Sequence, residues 1–131
     1  MARYREQLPQ SNGALFLTDG GIETTLIFHE GLELPDFAAF HLLRSRDGEA
    51  ALSRYFRSYA EIAARHGTGL ILESATWRAN ADWGTRLGYA PQALAEMNRR
   101  AIQQLELITP STGCRGRLRI FPRSSGSARS R

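Results

Sequence analysis

Two kinds of hydrophobic pattern take turns along the first 108 residues. Ala14-Leu15-Phe16-Leu17-Thr18 is a short apolar run closed by Asp19-Gly20-Gly21, which reads as a buried strand ending in a tight turn. Ile22 to Phe28 is expected to start a helix, Gly31 to Pro35 to form a loop, and Asp36 to cap a brief helix through Leu43. A longer pattern follows from Gly48 to His66. Its apolar positions are Leu52, Tyr55, Phe56, Tyr59, Ile62 and Ala63, which share one helix face. Arg54, Arg57, Glu61 and Arg65 fall largely on the other face, and Gly67 is a natural stop. Leu70-Ile71-Leu72 reads as a second buried strand that runs into Glu73-Ser74-Ala75-Thr76, and Trp77 to Tyr89 as a polar, aromatic loop. Pro91 suits the first turn of a last helix carrying Leu94, Met97, Ala101, Leu105 and Ile108. The order strand, helix, strand, helix predicts an α/β fold with a parallel sheet.

At Thr109 this grammar stops, and the charge changes with it. The 131 residues carry 17 basic side chains, all arginine, and 13 acidic ones, for a net charge of +4. All 13 acids lie in residues 1–108 and six of the arginines in residues 109–131, so the body sums to −2 and the tail to +6. Only Leu118, Ile120 and Phe121 form an apolar patch in the tail, whose Arg/Ser/Gly-rich composition predicts disorder. Arginine, glycine, serine and proline are also what GC-rich coding DNA yields out of frame, so the tail reads as a frameshifted segment. The expected organisation is a polar lead (1–13), a patterned body (14–108) and a basic tail (109–131). A basic tail suits nucleic acid or an acidic surface. With Phe121 its only aromatic residue and no nucleic-acid motif, nucleic acid is not the expected partner.

Cys114 is the one cysteine, so no intramolecular disulfide forms. The polar start lacks the apolar stretch of a signal peptide, and no apolar run reaches the roughly 18–20 residues that span a bilayer. A soluble, cytoplasmic chain with no membrane partner is expected. His29, His41 and His66 are scattered, which makes no self-contained zinc site.

In parallel α/β folds functional groups collect where strands end. Two polar clusters stand at such ends: Asp19-Gly20-Gly21 with Glu23, Thr24 and Thr25, and Glu73-Ser74-Ala75-Thr76 with Trp77, Arg78 and Asn80. Carboxylates there suit an ammonium group, and exposed N–H groups at a Gly-Gly turn suit a carboxylate, so an amino acid meets both demands. The plainer alternative is that Asp19 caps a turn and Glu73 pairs with an arginine.

Residues Phe16 to Leu26 resemble the opening of the homocysteine S-methyltransferase family, whose first strand ends in D-G-[GA]-x-x-T-x-L. Gly69 to Asn80 is similar to the family's second strand and T-[YW]-x-A segment. Tyr59, Ala63 and Gly67 stand where its long helix has Y…A…G, and Asn98 and Ala101 match its next helix. Two positions depart: Glu23 stands where many members have glycine, and Trp77 where tyrosine is commoner.

The resemblance covers residues 14–108 and implies the first two to three βα units of a TIM (β/α)8 barrel, a fold of about 250 residues. It implies methyl transfer to the homocysteine thiol, giving methionine, from a donor such as S-methylmethionine, S-adenosylmethionine, betaine or a methylfolate. Asp19 would receive the homocysteine ammonium, Gly20 and Gly21 would let backbone approach, and Glu73, Ser74 and Thr76 would line the pocket. In the family, zinc held by three late cysteines keeps the thiol deprotonated. One cysteine cannot supply that site, so no zinc and no catalytic residue are expected here, and the chain reads as truncated and inactive alone. An incomplete barrel would leave a sheet edge and the Leu52, Phe56 and Tyr59 face without partners, which predicts marginal stability and self-association. The competing readings are a non-catalytic module acting through its tail, and a subunit that completes a split barrel.

Overall fold

The computed structural model describes residues 8–111 and 118–121. A 3₁₀ turn at Pro9–Asn12 precedes β1 (Phe16–Thr18). Next comes α1 (Ile22–Thr24), which widens into a π turn at Thr25–His29. Two 3₁₀ segments, Pro35–Phe37 and Ala39–Arg44, lead to α2 (Arg46–His66) and β2 (Gly69–Glu73). A short α3 (Ala81–Arg86), a long α4 (Pro91–Ser111) and β3 (Leu118–Phe121) complete the order.

Local chemistry accounts for the helix ends. Gly21 takes a left-handed conformation (φ 70°) that turns the chain from β1 into α1. Ser45 is extended and its Oγ accepts the Gly48 N–H at 3.1 Å, so α2 begins two residues before the patterned stretch. Asp47 and Glu49 in its first turn and Arg65 and His66 in its last complement the helix dipole, and Gly67 ends it. A Cβ on Gly48 would run into the backbone of Leu42, which makes this glycine the contact point between α2 and the second 3₁₀ segment.

β2 is the centre of the sheet, with β1 and β3 parallel to it on either side. Leu17 pairs with Leu70 and Thr18 with Ile71, so the parallel arrangement expected from the strand–helix–strand order is present. Leu70 and Leu72 are fully buried, and α2 packs against both β1 and β2. α4 packs against α2, the second 3₁₀ segment and β3.

The incomplete TIM (β/α)8 barrel is not what the described residues form. The described residues are mostly helical, and the sheet is three short strands. The largest fully buried side chains come chiefly from helical elements: Leu26, Phe40, Leu43, Leu52, Phe56, Leu105 and Ile108. The core therefore lies mainly between helices and on one small sheet, not inside a ring of strands. The π turn and the two 3₁₀ segments between β1 and α2 supply that extra helical layer. The second 3₁₀ segment and α4 pack against α2, and the face expected to lack partners is covered: Leu52 and Phe56 are fully buried and Tyr59 is half-buried.

Other corrections are local. The first strand was expected to be buried, but β1 is half-buried and Leu15 is 70% exposed. Ile62, expected on the core face, is 44% exposed. Asp36 caps nothing; it has φ 50° inside the first 3₁₀ segment and pairs with Arg86 at 3.2 Å. Around the start of the tail, α4 runs to Ser111, and Leu118–Phe121 pairs with β2 in the register Leu70↔Leu118 to Glu73↔Phe121. That pairing gives the edge of β2 the hydrogen-bond partners an open strand would lack. The expectations for residues 1–7, 112–117 and 122–131 lie outside the described residues.

Candidate functional site

Parallel pairing puts the ends of β1 and β2 on one edge, and Asp19 joins them. Its Oδ1 accepts the backbone N–H of Glu73 at 2.9 Å, across 54 positions of sequence. Its Oδ2 faces the Tyr55 hydroxyl at 3.1 Å. That hydroxyl is also 3.0 Å from the carbonyl of Gly20, so its single proton is shared between two acceptors. Tyr59, one helical turn further along α2, donates to the same carbonyl at 2.9 Å. The two tyrosine rings lie 5.2 Å apart, and Tyr55 meets Phe56 edge-on at 5.1 Å. Burial, then the Asp19 carboxylate, then Tyr59 push the Tyr55 hydroxyl far above the usual phenol range. The Tyr55 hydroxyl thus stays protonated at neutral pH and helps fix the direction of Asp19.

The sequence-predicted residues divide into two groups. Asp19, Gly20, Gly21 and Glu73 stand together at the rim, with Asp19 half-buried and the other three exposed. Ser74 and Thr76 are buried, and their hydroxyls lie 2.8 Å from each other. The sequence pattern places Tyr55 and Tyr59 on the apolar face of a helix, with Tyr59 also in the Y…A…G spacing, and assigns neither to the site. Their hydroxyls were the available signal, because a tyrosine in a buried stripe needs a polar partner for its tip.

Past Thr76 the chain makes a four-residue turn, the Ala79 N–H donating to the Thr76 carbonyl at 2.9 Å with Trp77 and Arg78 at the corners. Asn98 of α4 donates to the Ala79 carbonyl at 3.1 Å and holds the turn down. Asn80 Oδ1 accepts the Trp83 N–H at 3.2 Å and starts α3, where sequence reading expected only loop. α3 brings Trp83 back over the turn. The Arg78 guanidinium then lies 4.1 Å from the Trp77 ring centre and 3.8 Å from that of Trp83, a cation between two aromatic faces. Arg86 stands 5.3 Å from Trp83 on the same short helix.

Two further features lie apart from these residues. Tyr89 OH and His41 Nδ1 are 2.8 Å apart, with the Arg44 guanidinium 5.8 Å from the Tyr89 ring centre. Burial, then Arg44, hold His41 below the usual imidazole value. An open groove of about 410 Å³ is lined by Ile27, Phe28, Leu32, Glu33, Leu34, Pro35 and Phe37, with none of the sequence-predicted site residues in its wall.

The residues present do not fit the zinc centre that the resemblance implies. No group of three or more His, Cys, Asp or Glu side chains among the described residues could hold a metal ion. Cys114 lies outside them, and one thiol does not make a three-thiolate site. No helix among the described residues is long and apolar enough to cross a membrane. No protein family, no curated protein and no solved structure matches the chain.

Proposed function

We propose that the chain binds the amino-acid end of homocysteine where β1 and β2 end, as a substrate-binding part of an S-methyltransferase-like protein. The observation that carries this reading is the Asp19 carboxylate, aimed by the Glu73 N–H and the Tyr55 hydroxyl beside the exposed Gly20-Gly21 turn. An oriented carboxylate at a half-buried rim suits an ammonium ion, and a second carboxylate, Glu73, ends the neighbouring strand. Backbone N–H groups of a glycine turn suit the α-carboxylate. The motif resemblance of residues 16–26 and 69–80 adds the thiol to this amino-acid reading.

Methyl transfer itself needs the homocysteine sulfur as a thiolate. Nothing among the described residues supplies a thiolate-holding metal site, so the reading is one of binding and assigns no turnover step.

Calorimetric titration with L-homocysteine tests it, with Asp19→Asn as the variant. Saturable binding that weakens at least tenfold in Asp19→Asn is expected, roughly the 1.4 kcal/mol or more of a charge-assisted contact. Absence of saturable binding by the folded wild-type chain, or equal binding by the variant, refutes the reading.

A further inference from the structure

We infer that Arg78 is the anchor of a binding site for a small carboxylate ligand, set between Trp77 and Trp83 at the β2 edge. Four arginines of the described chain, Arg54, Arg86, Arg99 and Arg100, each face a carboxylate of their own. Arg78 faces none among the described residues; its contacts are the two indole rings. Ring contacts of this kind leave the in-plane N–H groups of the guanidinium to bond. Of these, the Nε is shielded from water and has no hydrogen-bond partner among the described residues, and the same is true of Asn80 Nδ2 two residues on. Two orphaned donors, one on the turn and one at the α3 cap that follows it, are what a planar oxyanion would satisfy.

The geometry around them is built rather than incidental. The Thr76–Ala79 turn, the Asn98 clamp and the Asn80 cap fix the backbone that carries Arg78, and the two indole rings hold its guanidinium. Preorganisation of this kind lowers the ordering cost of binding. A planar guanidinium pairs with a carboxylate through two parallel hydrogen bonds, which favours carboxylates over spherical anions. The inference stands apart from homocysteine binding at Asp19, since it needs only the turn and α3.

The chain contains two tryptophans, and both flank Arg78, so intrinsic fluorescence reads this site directly. Propionate is titrated into the full chain at constant ionic strength, against chloride and inorganic phosphate. A saturable change in tryptophan emission with propionate is expected, together with none from chloride. At least a tenfold weaker response is expected in Arg78→Gln, and in Arg78→Lys, which keeps the charge but loses the fork. Asp19→Asn is expected to leave the response in place, which separates this site from the amino-acid reading. A non-saturating response shared by chloride, an unchanged response in either folded Arg78 variant, or saturation by phosphate alone overturns the inference. If Arg78→Gln does not fold, Arg78→Lys decides, with the Arg78 Nε–H resonance of the wild-type chain followed through the same titration. Failure of that resonance to move is equally decisive against it.

Discussion

Removing one oxygen atom tests the rim of the site. Tyr55→Phe keeps the ring, and with it the edge contact to Phe56, and deletes the hydroxyl shared by Asp19 Oδ2 and the Gly20 carbonyl. A hydrogen bond to a charged acceptor contributes about 1.5–3 kcal/mol, so a loss of that size is expected at neutral pH. A second signature appears in alkali. The ordinary phenol value is 10.0, and burial with the Asp19 charge raises that of Tyr55 well above it in the fold. Above about pH 10 the unfolded chain releases this proton while the folded chain keeps it. The contribution is thus complete below pH 10 and drains away as pH rises, by up to about 1.4 kcal/mol per pH unit. Tyr89 is raised by its burial in the same direction, so the wild-type curve alone does not isolate Tyr55. The difference between wild type and Tyr55→Phe does. Urea unfolding followed by circular dichroism at pH 7.5 and at pH 11 gives both numbers. A loss under about 0.5 kcal/mol at pH 7.5, with an alkaline limb unchanged from wild type, would refute the reasoning.

Two other perturbations have definite signs. Gly48→Ala raises helix propensity by up to about 1 kcal/mol, but its Cβ collides with the Leu42 backbone, and overpacking of about 1–3 kcal/mol is expected to win; a higher urea midpoint for the variant would count against the packing of α2 on the 3₁₀ segment. His41 titrates below its ordinary value because burial and then Arg44 oppose its charge, so the fold prefers the neutral ring. That preference stabilises the fold above about pH 6.5 and is lost on acidification. The urea midpoint is expected to fall between pH 7 and pH 5 in wild type and to fall less in His41→Gln, and a wild-type midpoint that rises on acidification contradicts it.

Much of the secondary structure was legible because it rests on local patterns. The α2 stripe, its stop at Gly67 and the Pro91 start of α4 follow from helical spacing and end chemistry, and each is present. Leu70 and Leu72 read as buried and are. Elements without a repeating pattern were harder to read. The π turn at Thr25–His29 and the segment Ala39–Arg44 have too few residues for a period to show, yet the second of them packs on the α2 face that seemed to lack partners. Asp36 looks like a helix cap from its neighbours, but Arg86, 50 positions later, takes its carboxylate. At the site, the strand-end rule found Asp19 and Glu73 but not what links them, because the bond from the Glu73 N–H to Asp19 is formed only when two strands align.

The sequence by itself determined the two long helices and the first two strands, their parallel order, and which carboxylates stand at the strand ends. Those properties depend on neighbours within a turn or two. Tertiary structure decided that the core lies chiefly between helices rather than inside a barrel, since the covering of a face depends on which distant segment packs there. It also decided that Leu118–Phe121, part of the basic, acid-free tail, joins the sheet through backbone bonds that composition does not register. The tryptophan clamp on Arg78 belongs to the same class. Trp77 adjoins Arg78 in the chain, but Trp83 reaches it only because Asn80 starts a helix that turns the indole back over the guanidinium.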